Sequence, residues 1–211
     1  MLNHSAFRKK RTVIKKGAFI VIEGLDGSGK TTQAKTLTAK LCRTHNAIYT
    51  AEPSKGKIGM FIRNRVLYGE KRPPTAIEAL LFAADRIEHV QNEVLPALAE
   101  GRVVVSDRYV YSSLAYQGSA GLNLDWIETI NEKALKPDLA LFIDVDPEAV
   151  QERLKSRKSV MENLETQRKV REIYQKFIEK GELISIDGNK SKKAVAQELH
   201  AIVISFLNAL S

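Results

Sequence analysis

The feature that most constrains the fold is a short apolar segment followed at once by a glycine-rich octet. Residues Ala18–Glu23 read AFIVIE, and the octet Gly24–Thr31 reads GLDGSGKT. A continuous run of apolar and β-branched residues predicts a strand that is buried on both faces. Helical spacing then follows from Lys30 to about His45. A buried strand joined to a helix by such a turn is typical of an α/β protein with a parallel sheet.

The rest of the chain continues the alternation of strands and helices. Further apolar runs predict strands at residues 47–51, 102–106, 139–145 and 183–186. Helices are predicted at 58–67, 75–99, 124–135, from Pro147, from near 162 to Gly181, and at 191–209. No glycine- or proline-rich linker divides the sequence. We therefore predict one α/β domain over residues 17–211, a three-layer sandwich in which helices flank a five-stranded parallel sheet.

The octet fits the pattern G-x-x-x-x-G-K-[ST] in the required context, after a strand and before a helix. Its glycines let backbone N–H groups turn towards phosphate oxygens, and the helix N-terminus adds partial positive charge. We expect Lys30 to reach the β- and γ-phosphates of a nucleoside triphosphate and the Thr31 hydroxyl to bind Mg²⁺. The predicted P-loop NTPase-type site for ATP comprises Gly24, Leu25, Asp26, Gly27, Ser28, Gly29, Lys30, Thr31 and Thr32. A guanine-nucleotide switch is disfavoured, because Asn189–Lys192 reads NKSK and lacks the carboxylate of N-K-x-D.

A second polar motif, Asp107-Arg108-Tyr109, follows the predicted strand 102–106. Ligands of open α/β sheets bind at the carboxyl ends of the strands. We therefore expect Asp107 near the metal ion of the P-loop and Arg108 near the transferred phosphoryl group, where a guanidinium can hold two oxygens at once. The alternative is an Asp–Arg salt bridge that only caps the strand.

Two side chains on the predicted helix 75–99 could bind a base. Phe82 and Arg86 lie four residues apart and so share one helix face. A ring beside a guanidinium can stack on a base and hydrogen-bond its edge. Taken alone, the pair is better explained as a core phenylalanine beside a surface arginine. We expect His89 to pack or cap within the same helix, and the single Cys42 to be a small buried residue.

The charge of the chain is concentrated in its first 16 residues. The sequence holds 33 basic and 25 acidic side chains, a formal net charge of +8. Six of the basic side chains lie in residues 1–16, namely Arg8, Lys9, Lys10, Arg11, Lys15 and Lys16. Without them 27 basic and 25 acidic residues remain, so the body of the chain, residues 17–211, is nearly neutral. We expect a disordered basic tail, and we expect a cytoplasmic protein because the apolar run Ala18–Ile22 is too short for a signal peptide or a membrane span.

Five segments together resemble the thymidylate kinase family. They are Gly24–Thr32 (GLDGSGKTT), Glu52-Pro53, Ile62-Arg63, Leu81–Arg86 (LFAADR) and Asp107–Gly118 (DRYVYSSLAYQG), in the order and spacing of that family. The resemblance covers nearly all of residues 18–210. It implies transfer of the γ-phosphoryl group of ATP to dTMP, giving ADP and dTDP for dTTP biosynthesis, with Mg²⁺. It also implies a homodimer.

The resemblance assigns residues to the base and the phosphate of dTMP. Phe82 matches the phenylalanine that stacks on thymine, and Arg86 matches the arginine that hydrogen-bonds the base edge. Arg63 resembles the arginine that holds the dTMP phosphate, and Arg108 completes that clamp.

The resemblance also assigns residues to the sugar. Asp26 resembles the acid that contacts the 3′-hydroxyl and the phosphate-binding arginines. Tyr116 resembles the aromatic residue that packs against C2′, where a ribose hydroxyl would clash. The positions that line the base and sugar are Ser112, Ser113 and Gln117.

Family members place a catalytic arginine either in the P-loop or in a flexible lid. This chain has Gly27 at the P-loop position, so we expect the lid, about residues 153–165, to supply Arg153 or Arg157. With Lys30, Arg108 and Asp26 these form the predicted catalytic set. This chain departs from the family pattern at two places: the lid lacks the usual D-R pair, and Ala51 stands where relatives often carry an arginine.

Two alternatives to a dTMP kinase remain at this point. One is a kinase for another deoxynucleotide or a deoxynucleoside. The other is a regulatory P-loop NTPase whose basic tail binds nucleic acid, which the nearly neutral body disfavours.

Overall fold

The computed structural model describes residues 17–69, 72–154 and 163–210. In this part of the chain five strands form one sheet: β1 (Ala18–Gly24), β2 (Ala47–Ala51), β3 (Val103–Asp107), β4 (Leu139–Asp144) and β5 (Ile184–Asp187). All neighbouring strands pair in parallel, and the order across the sheet is β2-β3-β1-β4-β5. The predicted α/β class and the five-stranded parallel sheet are confirmed.

The central strands are apolar because they are covered on both faces. All seven residues of β1 and all five of β3 are buried. In the register of these strands, Ile22 lies opposite Asp107 and Gly24 lies opposite Ile143. The glycine-rich turn after β1 and the Asp-Arg motif after β3 therefore begin side by side at the carboxyl edge of the sheet.

Helices flank the sheet. Their bounds are α1 (Lys30–Leu41), α2 (Lys57–Phe61), α3 (Thr75–His89), α4 (Leu95–Ala99), α5 (Val110–Ser119), α6 (Leu124–Ile130), α7 (Pro147–Leu154), α8 (Leu164–Glu179) and α9 (Lys192–Ala209). Helix α1 packs against α9, whereas α5 packs against α3, α6 and α8. Within the described ranges, no helix has the length and apolar composition needed to cross a membrane.

The long helix predicted at 75–99 is interrupted by a wider turn. Residues 90–94 form a π-helical turn between α3 and α4, just before Pro96. A proline in a helix has no N–H to donate, and its ring clashes with the carbonyl group four residues earlier. The wider turn accommodates the ring, and the chain continues helically. A similar π-helical turn, residues 62–67, extends α2.

Two further predictions are wrong. The helix predicted at 124–135 ends at Ile130, because the side chain of Asn131 bonds the carbonyl oxygen of Ile127 and the guanidinium of Arg86. Cys42, predicted to be buried, is exposed, since it caps the C-terminus of α1 just after the last buried residue of that helix, Leu41.

Candidate active site

The glycine-rich loop between β1 and α1 has the backbone of a phosphate cradle. Gly27 and Gly29 have φ values of 86° and 88°, in the left-handed region that favours glycine. The buried ammonium group of Lys30 lies 3.1 Å from the carbonyl oxygen of Leu25 and 3.5 Å from Oδ1 of Asp26. Burial lowers the pKa of Lys30, as does the charge of Arg108, and the nearby carboxylates oppose both effects. A buried cation thus lies beneath a loop whose N–H groups can face an anion.

Thr31 and Asp107 meet beside this loop, as the motif requires for a divalent cation. The Thr31 hydroxyl donates to Oδ2 of Asp107 at 2.5 Å, and the Tyr49 hydroxyl lies 3.3 Å from the same oxygen. Burial together with the charge of Asp107 raises the pKa of Tyr49 to about 12. The other oxygen of Asp107, Oδ1, is buried and has no hydrogen-bond partner within the described ranges. A hydroxyl and a carboxylate with a spare oxygen are ligands that suit Mg²⁺.

Arg108 and Asp26 form an ion pair where the two motifs meet. The Nη2 group of Arg108 donates to Oδ1 of Asp26, and Nη1 donates to the Ser112 hydroxyl at 2.8 Å. The guanidinium also lies 4.9 Å from the centre of the Tyr116 ring, whose hydroxyl accepts from the Asp26 N–H at 2.9 Å. Burial alone would raise the pKa of Asp26, but the charges of Arg108 and Lys30 outweigh it and hold that pKa well below its ordinary value.

A buried carboxylate holds the chain around Arg108 in position. Arg108 has a φ of 73°, unusual for a residue with a side chain. Fully buried Glu23 accepts the Tyr109 N–H at 2.8 Å, the Ser112 hydroxyl at 2.6 Å and the Tyr174 hydroxyl at 2.9 Å. Burial raises the pKa of Glu23 despite these bonds. The bonds of Glu23 to Tyr109 and Ser112 therefore hold the chain that directly follows the left-handed turn at Arg108.

A cavity opens beside Arg108 and leads away from the glycine-rich loop. Its lining residues are Asp26, Glu52, Pro53, Leu67, Arg72, Glu78, Phe82, Arg86, Arg108, Tyr109, Ser112, Ser113, Tyr116 and Gln117. Eight of the nine residues that the sequence assigned to an acceptor nucleotide lie in this lining. The ninth, Arg63, does not lie among the described lining residues, and its guanidinium donates to the carbonyl oxygen of Pro53.

Arg86 is almost completely buried in the wall of the cavity. Glu52 accepts from its Nε at 3.0 Å and from its Nη2 at 2.7 Å, and the Ser113 hydroxyl accepts from Nη2 at 3.0 Å. Nη1 donates to Asn131. These four bonds leave one of the five guanidinium N–H groups without a partner in the described part of the chain. The half-buried ring of Phe82 lies one helical turn away in the same lining.

A comparison with known proteins assigns the family. Residues 22–199 match the family model described as thymidylate kinase, which covers more than half of the chain. The chain belongs to the thymidylate kinase family. Its members transfer phosphoryl groups between nucleotides, which agrees with a glycine-rich loop beside a cavity.

Other members of the family are similar to this chain over most of their length. A probable thymidylate kinase of Pyrobaculum aerophilum is 42% identical over 189 residues, 88% of this chain and 96% of the relative. One of Pyrococcus horikoshii is 47% identical over 173 residues, 78% and 84% of the two chains. One of Pyrococcus abyssi is 43% identical over 197 residues, 89% and 96% of the two chains.

Several residues that line the cavity were not identified from the sequence. Arg72 pairs with the buried carboxylate of Glu78, with Nη2–oxygen distances of 2.7 Å, and Glu78 also accepts from Gln117 at 3.0 Å. Glu78 could have been found, because it lies four residues before Phe82 on the helix face that carries Phe82 and Arg86. No pattern marks Arg72, which stands between two residues that the structure does not describe and two prolines.

His89 packs as expected. Its ring lies between the Thr50 hydroxyl, at 2.6 Å, and the Glu52 carboxylate, at 3.1 Å, and is buried. It therefore supports the Glu52 carboxylate, which holds Arg86. His89 itself does not lie among the described residues that line the cavity.

The predicted lid is described only at its ends. Arg153 lies in the last turn of α7, and Asn163 caps α8 by accepting from the N–H of Thr166. Arg157 and the basic residues 1–16 lie outside the described residues.

Proposed function

We propose that this chain transfers the γ-phosphoryl group of ATP to dTMP, giving ADP and dTDP, a step in the biosynthesis of dTTP. The observation that carries the proposal is the position of Asp26 and Arg108. Asp26 belongs to the glycine-rich loop and also lines the acceptor cavity, and Arg108 bonds to it across the junction. Two nucleotides bound in the loop and in the cavity would therefore meet with their phosphates at one pair of side chains.

The loop is the proposed ATP site. The N–H groups of Gly24–Thr32 and the N-terminus of α1 would bind the phosphates, with Lys30 at the β- and γ-phosphates. Ser28 Oγ is buried without a hydrogen-bond partner among the described residues, which supports a polar ligand here. Thr31 and Asp107 would hold Mg²⁺, directly or through water, and that ion would offset the negative charge of the phosphates.

The cavity is the proposed dTMP site. Phe82 would stack on the thymine ring, an interaction worth about 1–3 kcal/mol. The unused N–H of Arg86 suits a carbonyl oxygen on the base edge. The ring of Tyr116, which lines the cavity, would pack against C2′, where a ribose hydroxyl would clash. The remaining contacts to base and sugar would come from Ser112, Ser113 and Gln117.

The transfer itself needs positive charge rather than a strong base. The attacking group is a phosphate oxygen, already anionic, and the transition state spreads charge over the equatorial oxygens. Arg108 is placed to hold the acceptor phosphate, and we propose that Arg63 turns from Pro53 to share this role. We further propose that Arg157 or Arg153 closes over the γ-phosphate from the lid.

We also propose a homodimer that works in the cytoplasm, where ATP and dTMP are available, with no nucleic acid or membrane partner. Helices α2 and α3 support the dimer, because large apolar side chains are exposed along them: Met60, Phe61, Ile77, Leu80 and Ile87. A surface of this kind is typical of a protein–protein interface. Sedimentation of the full chain should show a species of twice 23.6 kDa.

A substrate panel tests the proposed function. Purified chain with Mg²⁺ and ATP is offered dTMP, dUMP, dCMP, dAMP and thymidine, and ADP release and the products are measured. We expect fastest turnover with dTMP and measurable turnover with dUMP, because a missing methyl costs only about 10–200-fold. A Lys30→Met variant is the inactive control, and removal of residues 1–16 should leave turnover intact. Absence of dTMP-dependent ADP release, or a faster reaction with thymidine or another nucleotide, would refute the proposal.

A further inference from the structure

Gln117, one of the residues that line the acceptor cavity, carries a polar atom without a hydrogen-bond partner among the described residues. Gln117 is 3% exposed, and its Nε2 group donates to Oε1 of Glu78 at 3.0 Å. Its own Oε1 is buried and has no hydrogen-bond partner in the ranges that the structure describes. A buried amide oxygen left unsatisfied costs free energy, so the position suits a ligand that donates to it.

The chemistry of Glu78 determines which end of the Gln117 amide faces Glu78, and so which end is left without a partner among the described residues. Arg72 binds the Glu78 carboxylate through Nε at 3.0 Å and through Nη2 at 2.7 Å. A carboxylate paired with a guanidinium is ionised and can only accept hydrogen bonds. The group that Gln117 turns towards it must therefore be the NH₂ group.

We infer that Glu78 is a positioning residue for base selection: it fixes Gln117 so that Oε1 accepts a hydrogen bond from the pyrimidine edge. The inference rests on the proposed function and adds to it. Thymine and uracil carry a donor at N3, whereas cytosine carries an acceptor there, which would face the lone pairs of Oε1. Arg86 supplies the complementary donor for the carbonyl group at position 4, where cytosine has an amino group. Both groups then favour the same class of base.

The test compares dUMP with dCMP, because these substrates differ only on the edge that Gln117 and Arg86 would contact. In Glu78→Gln, the new amide can accept from Arg72 and donate to Gln117, so the Gln117 amide turns its NH₂ group to the cavity. We expect the ratio of kcat/KM for dUMP over dCMP to fall about tenfold or more, the value of one hydrogen bond to a base edge. The matched control Glu128→Gln, on the exposed side of α6, should keep the wild-type ratio.

A second variant distinguishes the effect of the Gln117 amide orientation from the effect of breaking the Arg72–Glu78 pair. Gln117→Leu removes the acceptor itself, and its ratio should fall by a similar factor. The double variant Glu78→Gln/Gln117→Leu should show the ratio of Gln117→Leu alone, because Glu78 would act only through the amide. A folded Glu78→Gln or Gln117→Leu enzyme with the wild-type ratio would overturn the inference, as would additive effects in the double variant. Failure of the wild-type chain to phosphorylate either dTMP or dUMP would instead refute the proposed function.

Discussion

Removing the charge of Glu52 should weaken both the fold and the binding of the acceptor. In Glu52→Gln the side chain keeps its shape, but the Arg86 guanidinium, 1% exposed, loses its counterion. The remaining bonds of Arg86 go to the neutral side chains of Asn131 and Ser113. Both members of the Arg86–Glu52 pair have side chains only 2% exposed, so water cannot replace the lost carboxylate.

The size of the effect follows from this geometry. Breaking a buried pair from one side costs about 3–5 kcal/mol, because an uncompensated charge stays in the interior. Folded domains are stable by about 5–15 kcal/mol, so the loss is a large fraction of the total. With a urea m-value of about 1–3 kcal/mol/M, the midpoint should fall by about 1 M or more. The KM for dTMP should rise more than kcat falls, since Arg86 would contact the base rather than the transferred group.

Urea unfolding followed by circular dichroism at fixed protein concentration measures the first effect. The matched control is Glu148→Gln, which removes the exposed Glu148–Arg168 pair and should leave the midpoint unchanged within error. The double variant Glu52→Gln/Arg86→Met should lose less free energy of unfolding than the sum of the two single variants. A loss below about 1 kcal/mol in Glu52→Gln, or strict additivity, would refute the view that this pair holds the cavity wall.

Three further predictions concern the sugar, the loop and the lid. Tyr116→Ala should reduce the preference for dTMP over its ribose analogue roughly tenfold in kcat/KM; an unchanged preference removes Tyr116 from sugar selection. The ion pairs of Asp26 lower the pKa of its carboxyl group below the ordinary value of 3.8. The ionised carboxylate therefore stabilises the fold fully above pH 3.8, and this stabilisation is lost as the pH falls through the lowered pKa. The free-energy difference between wild type and Asp26→Asn should therefore shrink below pH 3.8 in urea titrations, and a constant difference would contradict the pKa argument. Arg157→Met should lower kcat by up to about 10³–10⁵-fold, the contribution of an arginine that stabilises the transition state, with little change in ATP affinity. Near-normal turnover in this variant would assign the role to Arg153 instead.

The sheet could be predicted from sequence because its signal is local. The prediction for β2 matches the structure at both ends, and those for β3 and β5 are shifted by one residue. A run of apolar, β-branched residues needs no knowledge of distant contacts to be recognised as a buried strand. Where distant contacts decide, the prediction failed. Asn131 leaves its helix because it bonds Arg86, 45 residues earlier in the chain.

The same distinction applies to the site. Asp26, Asp107 and Arg108 could be expected together because the ends of parallel strands meet at one edge of the sheet. Glu52 was noted only as part of a motif, since its bond to Arg86 joins residues 34 apart that no local pattern connects. The pairing of Arg72 with Glu78 and the orientation of Gln117 likewise required the folded cavity.

The central claim is that two nucleotides bind end to end, with their phosphates meeting at Asp26 and Arg108. A crystal structure of the chain with ADP and dTMP tests it most directly. We predict the ADP β-phosphate within Gly24–Thr31, the dTMP phosphate on Arg108 and the thymine ring against Phe82. A thymine bound away from Phe82, or two phosphates that do not face each other across Arg108, would contradict the account.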